Sequence, residues 1–558
     1  MKILSVKEMR QIEQSADAGG LSYAAMMENA GRATADAVAR SAHLDDCAVL
    51  ILIGPGNNGG DGLVAAHHLR RMGADVRCYI WKRRTNGDAN LARVIKDEIP
   101  LVWMKDDGDL TMLRAHAAQA DVIVDALLGT GVSRPLEGAV KVLLETVKAS
   151  IQNRAAARHD TLTSPAWPLP TDSPLIVAVD LPSGLNADSG ELDPAALPAD
   201  LTVTFAYPKR GHFFFPGAEA VGQLLIADIG LPEDLGAEGD LELITAETAR
   251  HLLPRRPLRS HKGTFGKAMI VAGSVSYTGA ATLAAAAATR VGTGLVTLAS
   301  PRVLHGALAS TVIEPTFLFL PHDMGVLAPG GVKILAEQLP DYQALLIGPG
   351  LTTEKPTVEF IKEFFAQTGQ EPKQPRKNIG FLAATRESDK KTKEVNLPPL
   401  VIDADALNIL AGFKEWWKLL PEGSILTPHP GEMERLMGGE VDREEILTDR
   451  WGVARRMAAE WEQVVALKGA FTVVAAPDGR LAVSPFANPG LASGGTGDVL
   501  AGAIVGLRAQ GLEPFDAAVT GVYLHGLAGE LVRAGLGEAG MIASDLLPAL
   551  PEAINMLR

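Results

Sequence analysis

Two glycine-rich runs, each following an apolar run and opening a helical pattern, carry the residues best suited to chemistry. The first is Gly54-Pro55-Gly56-Asn57-Asn58-Gly59-Gly60-Asp61-Gly62, set between AVLILI and LVAAHHLRRMG. Glycines at a strand end let the backbone approach a ligand, and the helix start behind them offers free N–H groups and a positive dipole end to an anion. Gly54, Gly56 and Gly59 satisfy G-x-G-x-x-G, yet an ordinary dinucleotide site wants an acid at the end of the second strand. Asp75 has the right separation but precedes VRCYIW, at the wrong end of that strand. Two more apolar runs add weight: ADVIVD ends in Asp125 ahead of a glycine turn, and LIVAVD ends in Asp180 ahead of Leu-Pro-Ser-Gly. Parallel strands would bring these acids and turns to one carboxyl edge, where open α/β sheets bind ligands. Taken singly, either aspartate could equally cap its own turn.

The second run, NPGLASGGTGDVLAG from Asn488 to Gly502, leads straight into an apolar helical pattern. Successive N–H groups at such a helix start form a nest for a phosphoryl oxygen, and Asp498 would face the same place as a base. Glycine-rich helix entries also serve packing, so this run alone does not fix the chemistry.

The elements that must position these residues repeat in two series. Apolar runs at 48–54, 76–81, 120–129 and 175–184, then at 267–274, 295–300, 344–350, 400–408 and 464–469, alternate with helical patterns. Such runs predict parallel sheets covered on both faces. The proline-bearing stretch 231–262 reads as a connection between them. Two segments break the rhythm: 150–174, with four prolines, reads as a surface loop, and 371–396, with seven Lys/Arg against four Asp/Glu, as a solvated insertion. The latter nearly lacks the aromatic interleaving of a nucleic-acid site.

At 558 residues the chain exceeds one ordinary domain, and 47% hydrophobic residues exclude global disorder. A net charge of 52 − 66 = −14 argues against nucleic acid or an anionic membrane as partner. Two cysteines, Cys47 and Cys78, are too few for a disulfide framework and suit a reducing compartment. The start, MKILSVKEMRQIEQSA, has no apolar signal core, and the Ala-rich stretch 279–289 is about half the length that spans a bilayer. A soluble, cytoplasmic protein is expected.

The strings NNGGD (57–61), DALLGTGVSRP (125–135) and DLPSG (180–184) resemble the NAD(P)H-hydrate epimerase family, from the start of the chain to about residue 235. That resemblance implies a Rossmann-like fold and a site for NAD(P)H hydrated on the nicotinamide ring, whose R and S forms are interconverted. By motif, Asn57, Asn58, Gly59, Gly60 and Asp61, then Gly129, Thr130, Gly131, Val132, Ser133, Arg134 and Pro135, with Asp180, would line the hydrate site. Asn58, Asp125 and Ser183 would hold K+. Asp180 is expected to handle the proton, since a partly desolvated carboxylate can be tuned toward neutrality.

The GGTGD helix entry resembles the ribokinase-like fold. KGTFGKAMIVAGSVSYTGAA (262–281), IGPGL (347–351), VIDADALN (401–408), TPHPGEMERL (427–436) and LKGAFTVV (467–474) narrow the resemblance to ADP-dependent (S)-NAD(P)H-hydrate dehydratases over 245–558. The expected architecture is thus two three-layer α/β/α domains, Rossmann-like over 1–236 and ribokinase-like over 237–558, in the order of the bifunctional NAD(P)H-hydrate repair family. By motif, Lys468, Gly469, Ala470, Phe471 and Thr472 with Asn488, Gly494, Gly495, Thr496 and Gly497 would bind ADP. Ala280, Gly350, His429 and Asp498 would contact the hydrate; the lesser alternative for His429, between two prolines, is a satisfied turn histidine. Asp403 and Asp405 would either bind Mg2+-linked phosphate or cap the DADALN turn, and Thr352 stands where the family pattern continues with glycine. In the implied reaction Asp498 deprotonates the ring hydroxyl as it attacks the terminal phosphoryl of ADP; the N–H groups of 494–497, Lys468 and Mg2+ stabilise the developing charge. Phosphate then leaves and NAD(P)H is restored. The family resemblance also implies acceptance of both hydrated NADH and NADPH, and a homo-oligomer. The chief alternative is a ribokinase-like small-molecule kinase fused to a Rossmann-like regulatory domain, releasing a stable phosphorylated product. A non-catalytic nucleotide sensor would need none of these bases.

Overall fold

The computed structural model describes residues 1–131, 134–157, 173–232, 235, 239, 241–367 and 397–558, with 154–157 described by backbone alone. Val132, Ser133, most of the expected loop 150–174 and all of 371–396 lie outside the described residues. Residues 150–157 are not loop: they complete the helix Gly138–Ala157. The prolines of that segment begin at Pro165, so nothing before them interrupts a run of helix formers. The chain divides into two compact units, Lys2–Gly239 and Asp240–Arg558 together with Met1.

The first unit is built on seven strands: β1 Ala48–Ile53, β2 Asp75–Ile80, β3 Leu101–Trp103, β4 Val122–Ala126, β5 Leu175–Val179, β6 Leu201–Phe205 and β7 Gln223–Ala227. All neighbours pair in parallel, in the order β3-β2-β1-β4-β5-β6-β7. Chain order therefore reverses between β1 and β4, a switch point at which neighbouring loops part and leave a crevice. Both sheet faces are covered. Val49, Ile51, Val122 and Val124 pack with Ala35, Val38 and Leu63 on one side; Leu50, Leu52 and Ile123 pack with Leu113, Leu143 and Val147 on the other.

The second unit holds a ten-stranded sheet. Its strands are β8 Leu241–Leu243, β9 Lys267–Val271, β10 Leu295–Pro301, β11 Thr316–Leu320, β14 Ala344–Ile347, β15 Leu400–Ile402, β16 Ile425–Leu426, β17 Val464–Leu467, β18 Val473–Ala475 and β19 Leu481–Val483, and a separate hairpin pairs β12 His322–Asp323 with β13 Val326–Leu327. The order is β11-β10-β9-β14-β15-β16-β17-β18-β19-β8, with chain order reversing between β9 and β14. The expectation of a wholly parallel sheet fails at β18, which runs antiparallel to both β17 and β19. The link 468–472 is a tight turn, too short for the crossover that a parallel pair requires. The reading of 231–262 as connection also needs correction: β8 closes the sheet edge against β19, and the helix Ala246–Leu252 follows it.

The helix Thr496–Ala509 packs lengthwise on Thr278–Arg290, and this sets where the second glycine run opens. A Cβ on Gly502 would lie 2.2 Å from the Ala284 carbonyl oxygen. Gly502→Ala is therefore expected to destabilise the second unit by about 1–3 kcal/mol in urea unfolding. Gly279→Ala, where an added Cβ meets nothing, is expected to be neutral or slightly stabilising; equal losses would contradict the packing account.

Candidate active sites

In the first unit Asn58, Asp125 and Ser183 are bonded together beside the switch point. Asp125, near the end of β4, is fully buried. Its Oδ1 accepts from Ser183 Oγ at 2.6 Å and from the Leu127 N–H, and its Oδ2 accepts from the Ser183 N–H at 2.8 Å. Ser183 Oγ in turn accepts from the Leu128 N–H at 2.9 Å. Asn58, in the first turn of the helix Asn57–Arg71, donates Nδ2 to the Leu128 carbonyl at 3.0 Å. Asn58 and Ser183 thus both reach the Leu128 carbonyl, and Asp125 is tied to that group through Ser183. Gly129 lies against the Asn58 side chain, 3.3 Å from where its Cβ would be. Gly131, Arg134 and Pro135 are exposed on the loop beyond, and Asn57 is exposed at the helix start.

Asp180, one residue past β5, is buried with φ of 65°, in the left-handed region. Its Oδ1 accepts from Lys209 Nζ at 2.6 Å and from Thr204 Oγ1 at 2.9 Å. Lys209 is 1% exposed. The His212 ring accepts the Lys209 N–H on Nδ1 and donates from Nε2 to the Asp180 carbonyl, both at 3.0 Å. Burial first, and then the Lys209 ammonium, push His212 down to about 4, so the ring stays neutral in this tautomer. Burial would raise the Asp180 carboxyl, but Lys209, by charge and by hydrogen bond, holds it below the usual range. The tuning expected of Asp180 therefore falls elsewhere. Asp61, buried in the NNGGD run, is raised well above its ordinary value by burial and by the charges of Asp180 and Glu13. Glu13 is itself raised, mainly by burial.

In the second unit three consecutive strand ends build the site. Asp403, Thr427 and Lys468 stand one residue past β15, β16 and β17. Asp403 Oδ1 accepts from Lys468 Nζ and from Thr427 Oγ1, both at 2.7 Å, and Lys468 lies 3.6 Å from Glu432 Oε2. Burial disfavours the Lys468 ammonium, yet Asp403 and Glu432 outweigh it and raise its pKa. Gly495 caps the helix Thr496–Ala509 at φ of 93°, and Thr496 Oγ1 ties the run back to the Leu491 and Ser493 carbonyls at 2.7 and 2.9 Å. Asp498 follows in the first turn. Burial and the neighbouring charge of Asp403 push it up to about 7, against the pull of Lys468.

Gly350 and Ala280 meet: a Cβ on Gly350 would lie 2.9 Å from that of Ala280. Thr352, the departure from the family pattern, has φ of 69° and donates its N–H to Asp405 Oδ2 at 2.8 Å. Neither aspartate caps the helix Asp405–Leu410 with its side chain; Asp403 holds Lys468, and Asp405 holds Thr352. His429 does cap a helix, Pro430–Leu436, through Nδ1, while its half-exposed ring leaves Nε2 outward, 3.4 Å from Glu432 Oε1. Burial and Lys468 push it down to about 4. Arg450 Nη2 donates to the Leu467 carbonyl at 2.9 Å and Nη1 to the Ala470 carbonyl, so it braces the 468–472 turn.

Sequence reasoning missed Glu13, Lys209, His212, Thr427, Glu432 and Arg450. Glu432 stands in a quoted string, TPHPGEMERL, and Lys209 follows β6 in a YPKRGH loop with no motif around it.

Residues 23–211 match a family described as YjeF-related protein N-terminus, and residues 268–370 and 382–552 one described as NAD(P)H-hydrate dehydratase. The whole chain is 38% identical to the bifunctional NAD(P)H-hydrate repair enzyme of Moorella thermoacetica, spanning 97% of that protein. The chain belongs to the family of bifunctional NAD(P)H-hydrate repair enzymes. The Escherichia coli K12 member is 34% identical over 97% of this chain and 92% of its own length. A crystal structure of the Bacillus subtilis ADP/ATP-dependent NAD(P)H-hydrate dehydratase, at 30% identity, covers 57% of this chain and 100% of that one, with a TM-score of 0.46.

Lys209→Met would leave Asp180 as an unpaired buried carboxylate and is expected to cost about 3–5 kcal/mol in the unfolding transition of the first unit. Adding Asp180→Asn to that variant should recover part of the loss. A double variant showing the full sum of both single losses would mean the pair is not coupled as described.

Proposed function

We infer that this protein restores NADH and NADPH from their hydrated forms. The first unit interconverts the R and S hydrates; the second dehydrates the S hydrate at the expense of ADP, giving AMP and phosphate. The observation that carries the second activity is Asp498, a carboxyl with a pKa of about 7 at the mouth of a glycine-rich helix start. A base is most effective when its pKa lies near the working pH. Asp498 takes the proton of the ring hydroxyl as its oxygen attacks the terminal phosphoryl of ADP. The N–H groups of 494–497 and Lys468 face the oxygens of that phosphoryl, where fixed donors stabilise developing charge. Phosphate then departs, driven by the lone pair of the ring nitrogen. ADP rests on 468–472 and on Asn488 and 494–497, and the hydrate on Ala280, Gly350, His429 and Asp498.

In the first unit, inversion at the hydroxyl-bearing ring carbon requires water to leave one face and return to the other. Asp180, held by Lys209, and Asp61, whose carboxyl is raised by burial and by the charges of Asp180 and Glu13, are the groups that pass protons to the departing and from the returning water. Asn57, Asn58, Gly59, Gly60 and the 129–135 turn line the bound hydrate. Asn58 Oδ1, Asp125 and Ser183 Oγ would hold K+, which supplies fixed positive charge beside the substrate. Asp403 and Asp405 would hold Mg2+, the usual partner of one or two carboxylates and nucleotide phosphates, which neutralises phosphoryl charge. Both cysteines are buried and unpaired, which supports work in a reducing cytoplasm. Among the described residues no helix is long and apolar enough to cross a membrane.

Asp498→Ala is expected to lower dehydration about 10²–10⁴-fold while R/S interconversion continues. Asp180→Ala should halt interconversion and leave repair of the S hydrate intact, and parallel loss of both activities in either variant would refute two separate sites. At limiting S hydrate, kcat/KM should fall tenfold per unit of pH below about 7, because only ionised Asp498 accepts the proton. The folded carboxyl keeps its proton up to about 7 and the unfolded one loses it near 3.8. Stability is thus lost as pH rises through that window, and Asp498→Asn, which does not titrate, should raise Tm more at alkaline than at acid pH. An equal rise at both would show that the carboxyl is not strained by burial.

A further inference from the structure

A dinucleotide laid across such a switch point places its adenosine ribose at the carboxyl end of the second strand, where an acid binds the 2′-hydroxyl of NAD or a nearby arginine takes the 2′-phosphate of NADP. In this chain β2 ends at Ile80 and is followed by Trp81-Lys82-Arg83-Arg84, three cations and no carboxylate. A cavity of about 750 Å³ opens there, lined by these cations together with Met27, Pro55 and Asp88. It borders the hydrate motif directly. Arg83 Nη1 donates to the carbonyls of Gly54 and Gly56, each at 3.1 Å, and a Cβ on Gly59 would lie 2.8 Å from it. A Cβ on Gly60 would lie 2.6 Å from Met27 Sδ.

The charges in this cavity do not cancel. Arg83 is engaged with the glycine run and, through Nε, with Asp88 Oδ2 at 2.5 Å. Asp88 Oδ1 in turn accepts the N–H groups of Asn90 and Leu91 at the start of the helix Ala89–Lys96. Asp88 is the one carboxylate in the lining, and it is taken. Lys82 and Arg84 remain, both exposed and without an ion-pair partner among the described residues, in a chain whose net charge is −14. We propose that Lys82 and Arg84 bind the 2′-phosphate of hydrated NADPH, so that the epimerase unit prefers the NADPH hydrate to the NADH hydrate. This rests on the epimerase reading of the first unit and adds the specificity of that same site. Arg83 shapes the glycine run, and the two free cations read the phosphate.

The test uses the full chain with ADP omitted, so that only R/S interconversion turns over, followed by chromatographic separation of the two forms. The wild type should show a lower KM for the NADPH hydrate than for the NADH hydrate, and adenosine 2′,5′-bisphosphate should inhibit more strongly than AMP. In Lys82→Ala/Arg84→Ala the KM for the NADPH hydrate should rise about tenfold with kcat unchanged, and the advantage of the bisphosphate should vanish. Kinetics on the NADH hydrate should not move, which also reports that the variant is folded. Lys82→Gln/Arg84→Gln should behave alike. An equal rise on both hydrates would place the pyrophosphate, which both cofactors share, against these cations and overturn the proposal; so would unchanged kinetics on both. Failure of the wild type to interconvert either hydrate would instead overturn the epimerase reading, and the proposal with it.

Discussion

Each unit holds a lysine against an aspartate placed just past the end of a parallel strand. Lys209 meets Asp180 at 2.6 Å in the first unit, and Lys468 meets Asp403 at 2.7 Å in the second. A charge taken out of water this far persists only with a partner and further hydrogen bonds, which Thr204 and Thr427 supply to the carboxylates. The consequence is electrostatic. A second carboxyl near the paired aspartate feels its charge as well as burial, and its pKa rises. Asp61 is in that position beside Asp180, and Asp498 beside Asp403. Each site thereby sets a lysine-paired carboxylate beside a second carboxyl whose pKa is raised, Asp61 in one unit and Asp498, pushed up to about 7, in the other.

The sheets make this possible by geometry alone. Parallel strands deliver their ends to one edge, and reversal of chain order between β1 and β4, or between β9 and β14, leaves an opening at that edge. The helix Asn57–Arg71 in one unit and Thr496–Ala509 in the other then point their free N–H groups at that edge. Strand ends fix the charges and helix starts fix the anion donors. The two rest on rigid, fully covered layers, so little reorganisation is needed at the moment of reaction.

Much of this was legible in the sequence, because the decisive signals are local. Glycine runs, strand-terminal aspartates and the Ser-Gly after Leu-Pro can be read within a few residues of each other, and in the fold Asp125 is bonded to Ser183 while Ser183 and Asn58 both reach the Leu128 carbonyl. What was not legible is what burial and distant partners decide. Lys209 lies 29 residues beyond Asp180 and reaches it only through the sheet. Without that ammonium, Asp180 reads as the carboxyl tuned upward; with it, that part passes to Asp61. Asp403 and Asp405 offered Mg2+-linked phosphate binding or capping from sequence; neither caps the DADALN helix with its side chain, and the lysine on Asp403 and the Thr352 N–H on Asp405 were not legible there. The direction of β18 was hidden because a short apolar run carries no sign of its direction; only the brevity of the 468–472 link determines it. Helix formers up to Ala157 were masked by the prolines that follow.

Two activities act on one damaged cofactor, and a mixed preparation of R and S hydrated NADH, given ADP, Mg2+ and K+, tests both most directly. Recovery of reduced-nicotinamide absorbance should reach the whole of both forms, with one phosphate released for each cofactor restored. Recovery that stops at the S fraction would contradict the account of the first unit. Consumption of nucleotide with a stable phosphorylated product and no restored NADH would contradict that of the second, and make the chain a kinase.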